Sequence, residues 1–333
     1  MEKVVLGLSG GVDSSLCAAL LRERGFEVHG LFLSYKGADP APARQAARQA
    51  GIGFSVLDIT EQLEHKVIRP FCQAYQAGIT PIPCVLCNPE VKFKALFDLA
   101  DQIGARYVAT GHYAAARDGG IYAVDNPKDQ SYMLHRLPAE WLSRLIFPLG
   151  DFPSKEAVRA EAARRGLSAA ASADSMEVCF IPEDDHAAFL ESRGCGCPPG
   201  DFVDESGKRL GRHGGIHRYT VGQRRGLGVA STGRLFVKAL DCVNNRVVLT
   251  LQDPKAEVAY CHDVVWQQPQ DQRRFPALVK IRYSRTSYRA TVEKRMDGRA
   301  KIEFAEPARA PAPGQSAVFY REDGLVIGGG ILE

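Results

Sequence analysis

The residues near the start of the chain that are best suited to chemistry form one loop, Ser9-Gly10-Gly11-Val12-Asp13-Ser14-Ser15. The loop lies between an apolar run, residues 4–8, and an alanine- and leucine-rich segment, residues 16–24. The run predicts a buried parallel strand and the segment a helix. Amides in the first turn of a helix lack internal partners and lie at the positive end of the helix dipole, and glycine lets an anion come close to them. The junction therefore predicts a phosphate site.

This loop differs from the two commonest phosphate-binding patterns. No Gly-Lys-Ser/Thr follows it, and no third glycine stands at the spacing of the dinucleotide-binding fingerprint. It resembles the Ser-Gly-Gly-x-Asp-Ser loop of the ATP pyrophosphatase superfamily. That resemblance implies cleavage of ATP between its α- and β-phosphates and adenylation of a substrate oxygen. The plainer alternative is a glycine-rich turn in which Asp13 or Ser14 caps the helix.

A second group of reactive side chains is provided by cysteines. Cys87 follows a proline-containing loop, residues 78–83, and directly precedes a helix predicted over residues 89–102. Asn88 is expected to cap that helix, with Pro89 at its first position. Cys87 would then lie at a helix N-terminus, where the dipole favours the thiolate. A reactive sulfur is the expected consequence.

The remaining cysteines need separate interpretations. Nine cysteines in a chain that we expect to be cytoplasmic do not indicate a disulfide framework, and most are expected to be buried thiols. Cys179 lies in an apolar run, residues 174–182, that predicts a short strand, and taken alone it is more typical of a core residue. Cys195 and Cys197 resemble half of a metal site, but no companion pair follows, so we expect an inert linker.

Alternating elements must position the loop and the thiols. Strands that alternate with helices predict right-handed crossovers and a doubly wound parallel sheet, with ligands beyond the carboxyl ends of its strands. Leu33 and the pair Gly111-His112 should therefore join the loop around one crevice. The predicted strands are residues 27–33, 54–59 and 107–110, and the predicted helices are residues 42–50, 61–76 and 183–192.

The second half of the chain has short strands and glycine turns instead. We expect an α/β domain over residues 1–193, a small β-rich module over residues 199–252 and an antiparallel β-barrel over residues 255–333. The predicted strands are residues 202–204, 216–221, 235–240 and 246–250 in the module and 277–283, 288–292, 300–304, 316–320 and 325–331 in the barrel.

Composition limits the class of protein. The chain has 333 residues, of which 45% are hydrophobic and 24% charged, and no window is apolar enough to cross a membrane. Its first residues run directly into the first strand, so we expect a cytoplasmic protein with no signal peptide. The net charge of +3 names no partner. Basic residues gather in the second half, which suits contacts with a nucleic-acid backbone, although a solvated basic face is the alternative. They are Arg212, His213, His217, Arg218, Arg224, Arg225, Arg273, Arg274, Lys280, Arg282, Arg285 and Arg289.

As a whole, the chain resembles the tRNA-uridine 2-sulfurtransferases, the MnmA/TrmU family, nearly end to end. The first loop is shared by many ATP pyrophosphatases, whereas its combination with two spaced cysteines and a Gly-Gln-Arg-Arg-Gly-Leu-Gly segment is much more specific. The matching segments are residues 8–15, 84–88, 91–93, 109–113, 128–132, 174–175, 179–181, 219–228, 282–283 and 313–318.

The resemblance implies that sulfur replaces the C2 oxygen of the wobble uridine in tRNAs for lysine, glutamate and glutamine. ATP, with Mg²⁺ balancing the phosphate charge, would adenylate that oxygen, and AMP would leave. Sulfur would arrive as a persulfide on Cys179 from a sulfur-relay protein or a cysteine desulfurase. Cys87 would attack as nucleophile and leave a Cys87–Cys179 disulfide. A monomer is expected.

The same matching implies the site residues. For His112, which is matched to a tRNA-binding position, the alternative is a structural histidine at a strand end. Asp13 is counted with Cys87 and Cys179 as catalytic. The implied ATP-binding residues are Gly7, Leu8, Ser9, Gly10, Gly11, Val12, Asp13, Ser14, Leu33 and Gly111. The implied tRNA-binding residues are Ile82, Pro83, Cys84, His112, Lys128, Asp129, Gln130, Arg282, Tyr283 and Gln315.

The chain also departs from the family pattern. Ile79 and Ile82 stand where the family usually has Arg and Asn, and Cys84 occupies a position that is Asp in some members. As a hypothesis, Cys84, Cys87 and Cys179 hold a [4Fe-4S] cluster with one iron open to sulfide, in place of a plain persulfide route.

Two other functions remain open from the sequence. A diverged paralogue would bind tRNA without thiolating it, which the two isoleucines motivate. An ATP-dependent amide synthetase acting on a small molecule would need neither Cys87 nor Cys179, and it would not need the basic second half.

Overall fold

The structure is a computed structural model that describes residues 1–171 and 178–333. Its first half is built on a five-stranded parallel sheet, which confirms the predicted fold class. The strands of this sheet are β1 Lys3–Gly7, β2 Glu27–Ser34, β3 Gly53–Asp58, β4 Tyr107–Ala109 and β7 Leu145–Ile146, and a hairpin is formed by β5 Ala115–Arg117 and β6 Gly120–Tyr122. The strand order is β3-β2-β1-β4-β7.

Helices cover both faces of this sheet and bury its apolar side chains. Leu16 and Leu21 of the first helix lie in the core on one face, whereas Phe93 and Leu96 lie in the core on the other. The helices are α1 Val12–Glu23, α2 Ala41–Ala50, α3 Thr60–Leu63, α4 Arg69–Gln76, α5 Pro83–Cys87, α6 Phe93–Gln102, α7 Ala139–Leu142, α8 Lys155–Arg164 and α9 His186–Ser192. Two π-helical turns, Glu64–Ile68 and Asn88–Lys92, join α3 to α4 and α5 to α6.

The middle unit is a small four-stranded sheet in the order β10-β11-β8-β9. The predicted strand over residues 216–221 is wrong, because Ile216–Arg218 forms a 3₁₀ turn. That turn buries His217, whose Nδ1 accepts from the amide of Cys197 at 2.9 Å and so ties the turn to the linker. The strands are β8 Gly200–Val203, β9 Arg209–His213, β10 Phe236–Asp241 and β11 Arg246–Thr250.

The last unit is a closed barrel, as predicted, in the order β12-β15-β14-β13-β16-β17. Its first strand was not predicted, since only two of its residues, Ala259 and Cys261, are buried. The strands are β12 Lys255–Trp266, β13 Arg274–Lys280, β14 Tyr288–Lys294, β15 Ala300–Arg309, β16 Ser316–Tyr320 and β17 Val326–Leu332.

Two predictions at the end of the first unit also need correction. The helix expected from residue 183 begins at His186, because the side chain of Asp185 caps it by accepting from the amide of Ala188 at 2.9 Å. Of the strand expected over residues 174–182, residues 178–180 form a turn, and Asp174 and Ser175 lie outside the described residues. No helix in the described ranges has the length and hydropathy needed to cross a bilayer.

Candidate nucleotide and thiol site

The glycine loop, residues 9–14, turns sharply between β1 and α1. Gly10 has a φ of +85°, and a Cβ there would lie 2.5 Å from the backbone nitrogen of Ala43 and 2.7 Å from the carbonyl carbon of Pro42. A side chain at this position would thus be both strained and blocked by the backbone at the start of α2. The turn requires glycine here.

Hydroxyl groups hold the loop in shape from within. The hydroxyl of Ser14 donates to the carbonyl of Gly11 at 3.1 Å and accepts from the amide of Ser9 at 3.2 Å, and the Ser9 hydroxyl lies 3.2 Å from it. Helix α1 begins at Val12, and no side chain of the described residues caps its N-terminus. The alternative in which Asp13 or Ser14 caps the helix is therefore wrong, and the geometry suits an anion at this end.

Asp13 joins the loop to two distant segments. Its carboxylate accepts from the hydroxyl of Tyr113 at 2.8 Å and from the ammonium of Lys155 at 2.6 Å. The two charged side chains are 28% and 12% exposed, so the ion pair is largely withdrawn from water. Gly111 lies against the same residue, since a Cβ there would be 3.2 Å from the Asp13 Cβ. The structure thus brings Asp13 and Gly111 together.

Sequence reasoning missed Lys155. It begins α8 directly after Ser154, whose hydroxyl caps that helix by accepting from the amide of Ala157 at 3.3 Å. A serine followed by a helix-forming run signals a helix start, but nothing local indicates which carboxylate the lysine meets.

Leu33 lies near the carboxyl end of β2, in register with Leu57 of β3. Its half-buried side chain packs against two apolar clusters, the sheet core around Phe93 and a cluster around Phe71 and Phe180. Because β1 and β2 are parallel, Leu33 lies at the same carboxyl edge of the sheet as the glycine loop.

The cysteines before α6 are arranged differently from the prediction. The helix begins at Pro83, so Cys87 ends α5 and continues into the π-helical turn. Asn88 is buried, and its side-chain amide donates to the carbonyl of Met133 at 2.9 Å, so its side chain does not cap the helix that follows. The predicted cap and the predicted position of Cys87 at a helix N-terminus are both wrong.

Burial, rather than a helix dipole, dominates the environment of these thiols. It raises the pKa of Cys87 to about 12 and also raises the pKa of Cys84, while the nearby charge of Lys92 lowers both pKa values. Negative charge on Cys179 would raise the two pKa values further, so the three thiols lie within electrostatic reach of one another. Cys179 itself is exposed, contrary to the core position that its sequence suggests.

The iron–sulfur hypothesis gains no support from the described residues. Within residues 1–171 and 178–333, no group of three His, Cys, Asp or Glu side chains is placed to hold a metal ion. A [4Fe-4S] cluster with three cysteine ligands needs such a group.

His112 connects the loop region to the thiols. It is 8% exposed, stacks on Phe93 with ring centroids 5.7 Å apart, and its Nδ1 lies 2.7 Å from the hydroxyl of Thr110. Burial, together with the charge of Lys92, holds the pKa of His112 well below its ordinary value. The imidazole is therefore neutral at physiological pH, and its contacts are those of the structural alternative.

The expected RNA-contacting residues fall into two groups. Asp129 and Gln130 hold the protein together: the Asp129 carboxylate accepts from Ser131 Oγ at 2.9 Å and from Lys280 Nζ at 3.1 Å, and the Gln130 side-chain oxygen accepts from the amide of Tyr113 at 3.1 Å. Lys128 and Tyr283 are exposed, and Arg282 is half-buried.

The thiol segment, residues 78–87, is held by both β-rich units. The amide of Thr80 donates to the carbonyl of Pro313 at 2.9 Å, and its carbonyl accepts from the side-chain amide of Gln315 at 2.8 Å. The Thr80 hydroxyl lies 3.1 Å from the hydroxyl of Thr220 in the middle unit. Further along the segment, Ile82 packs against the sheet core and Pro83 is buried. Gln315 thus contacts the segment that leads to Cys84.

The protein belongs to the α/β nucleotide-binding class, because its parallel sheet has a loop suited to an anion after the first strand. Two β-rich units follow the sheet and contact the thiol segment. The chain matches the family models described as tRNA methyl transferase HUP domain over residues 2–183, tRNA methyl transferase PRC-barrel domain over residues 187–250 and Aminomethyltransferase beta-barrel domain over residues 256–332.

Full-length relatives are more specific. The chain is 40% identical to a tRNA-specific 2-thiouridylase MnmA of Trichlorobacter lovleyi, with 100% of this chain and 98% of the relative covered. It is 42% identical to the protein of the same name from Pelobacter propionicus, with coverages of 98% and 96%. The chain belongs to the tRNA-specific 2-thiouridylase (MnmA) family.

Proposed function

We propose that this protein uses ATP to replace the C2 oxygen of the wobble uridine of tRNA with sulfur. One observation carries the proposal: two consecutive residues connect the glycine loop to the thiols. Gly111 lies against Asp13 of the loop, and His112 stacks on Phe93 of the helix that follows the thiol segment. Lys92 acts electrostatically on His112, Cys84 and Cys87. A bound nucleotide and a sulfur nucleophile would thus serve one crevice.

The activation half would take place at the glycine loop. The phosphates of ATP would lie at the N-terminus of α1, where the dipole and the backbone amides favour negative charge. Lys155, held by Asp13, adds a fixed positive charge at this end of the sheet. Mg²⁺ accompanying ATP would be held mainly by phosphate oxygens and water, with Asp13 as the loop's carboxylate. Attack of the uridine C2 oxygen on the α-phosphate would release pyrophosphate and leave the oxygen adenylated.

The sulfur half would use the two spaced thiols. The terminal sulfur of a Cys179 persulfide would attack C2 and expel AMP, so that a Cys179–S–S–C2 linkage forms. The Cys87 thiolate would attack the Cys179 sulfur, the bond to the transferred sulfur would break, and 2-thiouridine and a Cys87–Cys179 disulfide would result. An external thiol would then reduce the disulfide. The exposure of Cys179 supports loading by a sulfur-relay protein or a cysteine desulfurase.

The deciding experiment is nucleoside mass analysis of tRNA incubated with the protein, ATP, Mg²⁺ and a persulfide donor. Cys87→Ser and Cys179→Ser should abolish 2-thiouridine, whereas the control Cys242→Ser, at an exposed thiol of the middle unit, should retain it. Release of AMP and pyrophosphate is measured in parallel. Cleavage of ATP without sulfur gain by the wild-type protein would support the diverged paralogue, and sulfur gain in both serine variants would refute the thiol roles.

A further inference from the structure

Two arginines of the barrel meet the middle unit in an unusual arrangement. Arg309, the last residue of β15, donates through Nη2 to the carbonyl of Gly222 in the middle unit. Arg282, just beyond β13, donates through Nη2 to the carbonyl of Ala310 at 3.0 Å. Both guanidinium groups are thereby anchored beside each other where the two β-rich units join.

The space beside Gly222 is bounded by these guanidinium groups. Gly222 has a φ of +81°, and the atoms nearest to a Cβ there would be Arg309 Nε at 3.4 Å, Arg282 Nη2 at 3.6 Å and Arg309 Nη2 at 3.8 Å. All three are guanidinium nitrogens of these arginines. Because glycine has no side chain, these nitrogens are the nearest atoms that border this buried position within 4 Å.

No carboxylate of the described residues forms a direct ion pair with either arginine. Every other arginine of the barrel lies within ion-pair distance of a carboxylate, namely Arg273, Arg274, Arg285, Arg289, Arg295, Arg299 and Arg321. Among the described residues, neither Arg282 nor Arg309 has such a partner, and the Nε of each is buried with no acceptor. Burial and the charge of Arg309 lower the pKa of Arg282, and the carboxylate of Asp253 opposes this shift from beyond ion-pair distance. Two adjacent cations with no carboxylate bonded to either are stabilised when an anion joins them.

We propose that Arg282 and Arg309 together bind one backbone phosphate of the RNA, with Gly222 leaving the space that a phosphate oxygen enters. The proposal rests on the proposed function, because it takes RNA as the substrate, and it adds Arg309 and Gly222 to the residues that recognise it. Guanidinium groups bind phosphate through paired, charge-assisted hydrogen bonds. A phosphate has enough oxygens to accept from both anchored guanidinium groups, whereas a carboxylate has only two.

The arginine pair lies close to the junction between the middle unit and the thiol segment. Gly222 is two residues from Thr220, whose hydroxyl meets Thr80 of the thiol segment. A phosphate bound here would therefore fix the RNA backbone against the same junction that holds the segment leading to Cys84 and Cys87.

The test measures the affinity of an unmodified tRNA transcript for the full-length protein over a series of salt concentrations. Arg309→Gln should raise Kd about tenfold at 0.15 M salt and reduce the slope of log K against log salt by about 0.7 to 0.9, the change expected for one lost phosphate contact. Arg309→Lys retains charge but not the fork, so it should keep most of the slope and lose part of the affinity. Arg321→Gln is the matched control, because Asp323 already pairs with this arginine, and it should change neither quantity.

Melting temperatures of all variants establish that they fold. If a folded Arg309→Gln variant binds tRNA with the wild-type Kd and slope, the proposal is overturned. If inorganic phosphate raises the melting temperature of the wild type but not of Arg309→Gln, while tRNA binding is equal, the site binds free phosphate and the RNA assignment is overturned. Thiolation is assayed separately: tRNA binding that depends on Arg309 without any thiolation by the wild type would uphold the pair and reject the proposed function.

Discussion

The glycine loop and the thiol segment obtain their shapes in opposite ways. The loop is shaped mostly by its own residues, since Ser9, Gly11 and Ser14 bond to one another within six positions of the chain. The thiol segment is fixed by residues more than a hundred positions away, including Thr220 and Pro313. One half of the site therefore depends on local sequence, and the other depends on how the β-rich units pack against the α/β unit.

The largest effect is expected within the loop itself. Gly10→Ala would place a methyl group at a φ of +85° and 2.5 Å from the backbone of Ala43. We expect it to destabilise the protein by about 2 kcal/mol or more and to abolish ATP binding, because strain and steric overlap each cost about 1 to 3 kcal/mol. Thermal unfolding and nucleotide titration measure the two effects.

Gly11→Ala is the matched control. Gly11 has a φ of −74°, and a Cβ there would meet only Ser9 Oγ, at 3.7 Å. Its melting temperature should stay close to that of the wild type. Equal loss of stability in both variants would show that the loop does not depend on the backbone conformation of Gly10.

Replacing the distant partner of the loop comes next in size. Lys155→Met keeps the length of the side chain but removes the charge that bonds Asp13 at 2.6 Å. We expect release of AMP from ATP to fall about 100-fold, because a fixed charge at a site of phosphoryl transfer acts mainly on the transition state. Lys94→Met, at an exposed lysine paired with Asp98, should leave the rate unchanged. A wild-type rate in Lys155→Met would limit this lysine to a structural role.

The same contrast explains what could be predicted from sequence. Local features of the sequence predict the parallel sheet, the turn at Gly10 and the barrel. These features are the spacing of apolar residues, the positions of glycines and the short runs typical of strands. The start of α5 could not be predicted in this way. Asn88 is a residue type that commonly caps helices, but here its side chain is buried and donates to the carbonyl of Met133 instead. Lys155 and Arg309 gain their roles only from partners brought near by the tertiary fold.

A smaller effect is expected at the junction that holds the thiol segment. Thr80→Val removes the hydroxyl that meets Thr220 and preserves the shape of the side chain. We expect kcat for thiolation to fall about tenfold with little change in the Kd for ATP, because a small displacement of reacting groups costs rate rather than nucleotide affinity. Thr80→Ser should restore kcat, since it restores the hydroxyl. Thr220→Val should match Thr80→Val, and the double variant should be no worse, because the two hydroxyls form one contact. Additive losses would mean that the hydroxyls act independently.

The smallest effect concerns the acidity of the buried thiol. Because the pKa of Cys87 is about 12, its thiolate fraction should rise about tenfold per pH unit throughout the range from pH 7 to pH 10, whereas a free cysteine with a pKa of about 8.5 levels off within it. The rate of Cys87 alkylation, followed by peptide mass analysis, should show the same slope.

Lys92→Met removes the cation that lowers the pKa of Cys87, so alkylation at a fixed pH should slow about three- to tenfold. Lys94→Met should not slow it. A rate that levels off within this range, as it does for a free cysteine, would mean that Cys87 is in contact with water and that burial does not set its reactivity. A rate that keeps rising to pH 10, with the same slope but a lower rate in Lys92→Met, would show that burial sets the reactivity of this sulfur and that the neighbouring lysine partly offsets it.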